Sequence, residues 1–174
     1  SNAGGVNPQA CAEAIRALIK ELNLDLKVAV VLGDDLLEDK DKFLDSGVQE
    51  MYSDERFPEV DKIASINAYL GAFPIAQALN DGADIVITGR SVDSAVTLAA
   101  CIHTYGWKED EYDKLASGSL AGHIIECGTQ STGGNFTDWE LVSKDLHMIG
   151  YPIVDVSENG EFICTKSNNT SGLV

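Results

Sequence analysis

Two short stretches of this chain hold side chains whose types and spacing suit chemistry. In His123-Ile124-Ile125-Glu126-Cys127, a helix would bring position 123 onto one face with 126 and 127, because residues three and four apart are neighbours there. An imidazole beside a carboxylate suits general acid/base work, and a thiol beside an imidazole suits nucleophilic catalysis. A helix end with a structural thiol explains the same residues. If the protein is an enzyme, Glu126 with His123 is the expected acid/base pair, since a reactive Cys127 needs a depressed thiol pKa. The second stretch is Gly89-Arg90-Ser91-Val92-Asp93. Here Gly89 permits close backbone approach and Arg90 brings a fixed positive charge. Ser91 suits a helix cap or a ligand contact, and Asp93 suits the first helical turn or a polar catalytic role. Together they could hold a carboxylate or phosphate, although Arg90 pairing with Asp93 or a helix end would serve structure alone.

Weaker signals accompany them. Gly4-Gly5-Val6-Asn7-Pro8 reads as a turn and a helix start that could line the same sheet edge, with Gly4, Gly5 and Asn7 near a substrate. Thr132-Gly133-Gly134-Asn135 could form an anion-binding nest or a lid, or be an ordinary loop. No GxGxxG or Walker-type phosphate loop is present, which disfavours tight nucleotide binding of those kinds. His103 and His147 stand alone, and three histidines without carboxylates at ligand spacing do not make a zinc site. Asp34 and Asp35 read as exposed caps rather than metal ligands. The cofactor is therefore left open.

These residues need elements to position them. Ile85 to Thr88 is a short apolar strand, followed by the Gly89 turn and a helix expected to open at Ser91 and run to about Tyr105, where Gly106 stops it. In an open α/β sheet the turn after a strand's carboxyl end is where ligands bind. Lys27 to Leu32 is apolar on both faces, as a parallel strand covered by helices should be. Asn7 and Pro8 open a helix whose apolar stripe is Cys11, Ala14, Ile15, Leu18 and Leu22. Leu36, Leu37, Phe43 and Leu44 support a short helix ending near Ser46-Gly47, and 49–62 is a charged surface excursion. Ser65 is expected to cap a helix from Ile66, with Pro74 kinking or restarting it. A further helix opens at 110–113, where Gly118 and Gly122 imply close packing or a break. Pro152 to Val156 and Glu161 to Thr165 flank Glu158-Asn159-Gly160, a hairpin signal. The expectation is an α/β fold with three layers, a mainly parallel sheet with helices on both faces, and a C-terminal β-hairpin. Residues 4–137 form the core, with 1–3 read as a tag remnant. Residues 138–174 form the hairpin segment leading into a further portion, so the chain reads as a piece of a longer protein.

Composition narrows the function classes. The 174 residues carry 28 acidic and 12 basic side chains, for a net charge of −16. Such a field repels nucleic acid and anionic membranes, and no basic run offsets it. No apolar run approaches the roughly 20 residues of a membrane span. Cys11, Cys101, Cys127 and Cys164 are widely spaced and read as reduced thiols of a cytoplasmic protein. Missing strands would leave an open sheet edge, so a homo-oligomer is expected.

Several stretches together resemble the acyclic terpene utilisation family of the AtuA type. They include the Asn2–Pro8 start, Gly82–Ala95, Leu120–Gly128, Thr132-Gly133-Gly134, Ile149–Ile153 and the closing Gly172-Leu173-Val174. The resemblance implies a longer protein and a setting of branched acyl-CoA catabolism, with coenzyme A as a substrate carrier. It supplies no catalytic residues. The leading expectation is a catabolic enzyme acting by hydration- or dehydration-like acid/base chemistry on a small carboxylate or acyl-CoA. Its rival is a non-catalytic assembly or ligand-binding subunit.

Overall fold

Strand pairing begins in the two apolar runs expected to carry it. Val28–Val31 (β1) and Ile85–Thr88 (β2) pair in parallel, Val28 opposite Ile85 and Val31 opposite Thr88. The computed structural model describes residues 1–2, 7–141 and 143–173. The outer edge of β2 is met by Ser1, whose ammonium donates to the Val86 carbonyl at 2.7 Å while the Thr88 N–H donates to the Ser1 carbonyl at 3.0 Å. The broad parallel sheet expected from the sequence is thus, among the described residues, a two-stranded one. The described residues are 45% helical and 14% strand, a mixed arrangement of helices and small sheets compatible with the α/β class.

Alternation along the strands sorts the helices. Ala29, Val31 and Val86 join one core with Ala72, Ile75 and Ala76 of α3 (Ala72–Asn80) and Ala95, Ala99 and Ile102 of α4 (Ala95–Tyr105). Val30 and Leu32 face Gln9, Glu13 and Arg16 of α1 (Pro8–Glu21) instead. Asn7 caps α1 by accepting from the Ala10 N–H at 2.9 Å, with Pro8 at the first turn. Its covered side follows the expected stripe only in part: Ala12 is fully buried and Cys11, Ile15 and Ile19 partly so, while Ala14, Leu18 and Leu22 are exposed.

The connection after β1 passes through a one-turn 3-10 segment and α2 (Lys40–Asp45). The helix expected from Ile66 does not form. Instead 66–70 is extended: Leu36 and Ala68 N–H groups bond across to Ile66 and Asp34 carbonyls. The Leu70 N–H donates to the Arg90 carbonyl at 2.9 Å, and the Val92 N–H donates to the Leu70 carbonyl at 3.0 Å. That second ladder holds 90–92 extended too, so α4 begins at Ala95 rather than Ser91.

Helix α4 ends at Gly106 with φ 66°, the left-handed conformation glycine takes without strain. Helix α5 (Tyr112–Cys127) then runs unbroken through both glycines. An added Cβ at Gly122 would sit 2.6 Å from the Ser94 carbonyl oxygen, and one at Gly118 2.8 Å from Leu98 and Trp107 side-chain atoms. Their job is close approach to α4. Pro152–Val156 (β3) and Phe162–Lys166 (β4) form the expected antiparallel hairpin. It docks on the α4–α5 connection, where the Tyr105 hydroxyl donates to the Val156 carbonyl at 2.6 Å and the Trp107 indole N–H to the Glu158 carbonyl at 2.8 Å.

Candidate functional site

The turn after β1 anchors the turn after β2. Asp34 follows Gly33, which has φ 118°, and its side chain is only 5% exposed. Its Oδ2 accepts from the Arg90 backbone N–H at 2.7 Å and from Asn67 Nδ2 at 2.9 Å. The carboxylate lies against Gly89 so closely that a Cβ there would fall 1.8 Å from Oδ1. Glycine at 89 is therefore required by contact. This overturns the reading of Asp34 as an exposed cap: it is a buried latch between two strand-end turns. A polar residue directly behind a buried parallel strand was the available signal, but its partners stand 33 and 56 residues away.

With its backbone held, Arg90 extends its side chain outward. The guanidinium lies 4.9 Å from the centre of the Tyr69 ring, and Nη2 donates to the Tyr69 hydroxyl at 2.8 Å. The hydrogen bond to Tyr69 and, last among the causes, the charge of Asp93 push its pKa further up, so it is a permanent cation on an exposed surface. Ser91 does not cap a helix. It is 1% exposed, and its Oγ has no hydrogen-bond partner among the described residues.

Asp93 stands before α4 rather than in its first turn, and it links the two stretches singled out above. Its charge acts on Arg90 and also on Cys127, at the far end of α5. The contact of Gly122 with Ser94 explains this proximity. At that helix end the Cys127 thiol lies 3.5 Å from His123 Nε2 and 3.7 Å from Glu126 Oε2. Burial first, then the charge and hydrogen bond of Glu126, and finally Asp93, push the thiol pKa up. A thiol so placed is a poor nucleophile. Glu126 and His123 are both exposed and open to a ligand.

Gly4 and Gly5 lie outside the described residues. Asn7 lines a cleft of about 540 Å³ with Gly33, Asp34, Asp35, Ser65 and Asn67. Gly133 and Gly134 lie elsewhere. The Gly134 N–H donates to the Thr129 carbonyl at 2.7 Å, and a Cβ at Gly133 would meet the Leu173 N–H at 3.4 Å. Buried Thr132 ties this turn down, its Oγ1 donating to the Gly150 carbonyl at 2.9 Å while the Thr132 carbonyl accepts from the Leu173 N–H at 2.8 Å. Among the described residues, no group of three or more His, Cys, Asp or Glu is placed to hold a metal ion, and no helix is long and apolar enough to cross a membrane.

A family model, acyclic terpene utilisation family protein AtuA, matches residues 1–174. The chain belongs to that family. The resemblance carried by Gly82–Ala95 and Leu120–Gly128 therefore extends over the whole sequence, and AtuA membership covers both stretches that bear the candidate side chains. No curated protein and no solved structure matches it.

Proposed function

We propose that the chain acts in the breakdown of branched, terpene-derived carboxylates or their coenzyme A thioesters, by acid/base chemistry of the hydration or dehydration type. One observation supports the reading: α5 packs against the segment that follows Asp93, so closely that an added Cβ at Gly122 would sit 2.6 Å from the Ser94 carbonyl oxygen. The stretch that bears Arg90 and Asp93 and the helix that bears His123 and Glu126 are thereby neighbours. In this reading Arg90, steadied by Tyr69, binds the carboxylate or phosphate. Glu126 takes a proton from the carbon beside the carbonyl, and protonated His123 gives one to the departing hydroxyl, which leaves as water while the double bond forms. Hydration runs the same steps in reverse. The cleft residue Asn7 and the Ser91 turn frame the strand ends, and the protein works in the cytoplasm. Glu126→Gln is expected to keep ligand binding and lose turnover of a branched hydroxyacyl or enoyl thioester. Turnover equal to wild type would remove Glu126 from the mechanism.

The strand pair belongs, in this reading, to a wider three-layer parallel sheet. The outer edge of β1 is met by Arg16, whose Nη2 donates to the Val28 carbonyl at 2.8 Å, and Leu18 and Leu22 are exposed nearby on α1. These features support self-association through that side. Sedimentation velocity should show an oligomer that Leu18→Asp with Leu22→Asp dissociates. A wild-type monomer at every concentration contradicts it.

A further inference from the structure

The cleft beside Gly33 lies between two parts of the chain that few bonds join. One wall is Leu37, Ala64 and Ser65, and the other is Asn7, Gln9 and Leu32. In 35–70 no residue is buried, and of this stretch Leu70 alone packs against the core. The stretch is nevertheless fastened to itself at its base. The Leu36 N–H donates to the Ile66 carbonyl at 2.9 Å, the Ala68 N–H to the Asp34 carbonyl at 2.8 Å, and Asn67 Nδ2 to Asp34 Oδ2 at 2.9 Å. Farther out, the Phe43 and Phe57 rings meet with centres 6.1 Å apart. Among the described residues, its hydrogen bonds to the rest of the chain all go to 90–92. Asp34 Oδ2 takes the Arg90 N–H, the Leu70 N–H and carbonyl bond the Arg90 carbonyl and the Val92 N–H, and Tyr69 takes Arg90 Nη2. A glycine stands at each end: Gly33, with φ 118°, and Gly71, where an added Cβ would meet nothing within 4 Å.

We propose that the 34–70 segment is a lid over the strand ends, swinging as one body on Gly33 and Gly71 with its clasp at 90–92. Hinges of this kind need only a few residues to absorb the dihedral change. Opening breaks the bonds to 90–92 and withdraws Leu70 from the core. It also returns the Asp34 carboxylate to water and uncovers the Ser91 hydroxyl, which is 1% exposed and has no partner when the lid is closed. A buried polar group without a partner is costly, so the closed state is held by a narrow margin. The lid fixes Arg90 at both ends, its N–H through Asp34 and its guanidinium through Tyr69. It therefore regulates the anion anchor and the width of the cleft together. That consequence rests on the anion reading; the opening itself needs no ligand.

Native-state hydrogen exchange of the ¹⁵N-labelled chain tests the lid, because a segment that opens on its own exchanges as a cooperative unit below the global stability. The clasp amides are Leu70, Arg90 and Val92, and the amides inside the lid are Leu36 and Ala68. The three clasp amides should share one opening constant, at least tenfold larger than that of Leu36 and Ala68 and of the core amides Ile87 and Ile102. Tyr69→Ala, which removes an exposed clasp contact, should raise all three clasp amides by a common factor of about threefold or more. Clasp amides that exchange no faster than Ile87 and Ile102 would overturn the proposal, since the lid would then open only with the whole chain. Leu36 and Ala68 exchanging as fast as the clasp would overturn it too, as piecemeal unravelling, and so would a Tyr69→Ala effect confined to Leu70. All of these are read without ligand, so they leave the anion reading to stand or fall on ligand-induced stabilisation.

Discussion

Asp34, Gly89 and Arg90 act as one unit at the residue scale, and their coupling is measurable. A methyl group at position 89 collides with a carboxylate that cannot retreat without losing its bonds to Asn67 and the Arg90 N–H. Gly89→Ala should therefore destabilise the chain by about 1–3 kcal/mol, the usual cost of overpacking. In an Asp34→Ala background the obstacle is gone and the added cost should shrink, which urea unfolding of the four proteins would read as a coupling energy. Strict additivity would contradict the latch. The thiol at the other end of the candidate site makes a second prediction. Glu126 raises the Cys127 pKa by its charge and hydrogen bond, so Glu126→Gln should lower it and quicken alkylation of that cysteine at pH 8, followed by peptide mass spectrometry. An unchanged or slower rate would contradict the assigned cause. His123, Glu126 and Cys127 were readable as a group because helical spacing is local. Asp34 was not, because its burial depends on 66–70 folding over it from a distance in sequence.

At the scale of elements, helix ends that depend on local residues were legible and those that depend on ladders were not. Asn7-Pro8, Gly106 and the turn of the hairpin end or begin elements with their own side chains or conformations. Ile66 to Leu70 has helical composition, yet the Leu70 N–H and carbonyl are both engaged by the 90–92 segment. The same ladder delays α4 by four residues beyond Ser91 and leaves Asp93 outside it, which is what allows Asp93 to approach α5. The two glycines of α5 make the helix contact testable. At Gly122 the obstacle to a Cβ is the backbone of Ser94, whereas at Gly118 it is side-chain atoms of Leu98 and Trp107. Gly122→Ala should cost about 1–3 kcal/mol and Gly118→Ala less, since side chains yield more readily than backbone. Helix propensity alone would make both substitutions stabilising by up to about 1 kcal/mol. Equal effects, or a gain at Gly122, would contradict the packing.

For the whole molecule, the mixed α/β class and the hairpin were legible from periodicity, while the width of the sheet was not, because apolar strands do not state how many neighbours they pair with. The hairpin leans on the core through Tyr105, Trp107 and the 149–151 segment. A net charge of −16 surrounds the exposed Arg90, so the anionic substrate proposed for it would be recognised against the molecular field. That makes Arg90 the residue on which the account depends. The decisive measurement is thermal stabilisation of the chain, wild type against Arg90→Ala, by branched acyl-CoA thioesters and their free acids at fixed salt. A ligand at about 100 times its dissociation constant adds about 2.7 kcal/mol to stability, so binding should appear as a clear rise in Tm for the wild type and vanish in Arg90→Ala. No rise with any of these ligands, or the same rise in both proteins, would contradict the anion-anchored site and favour an assembly role.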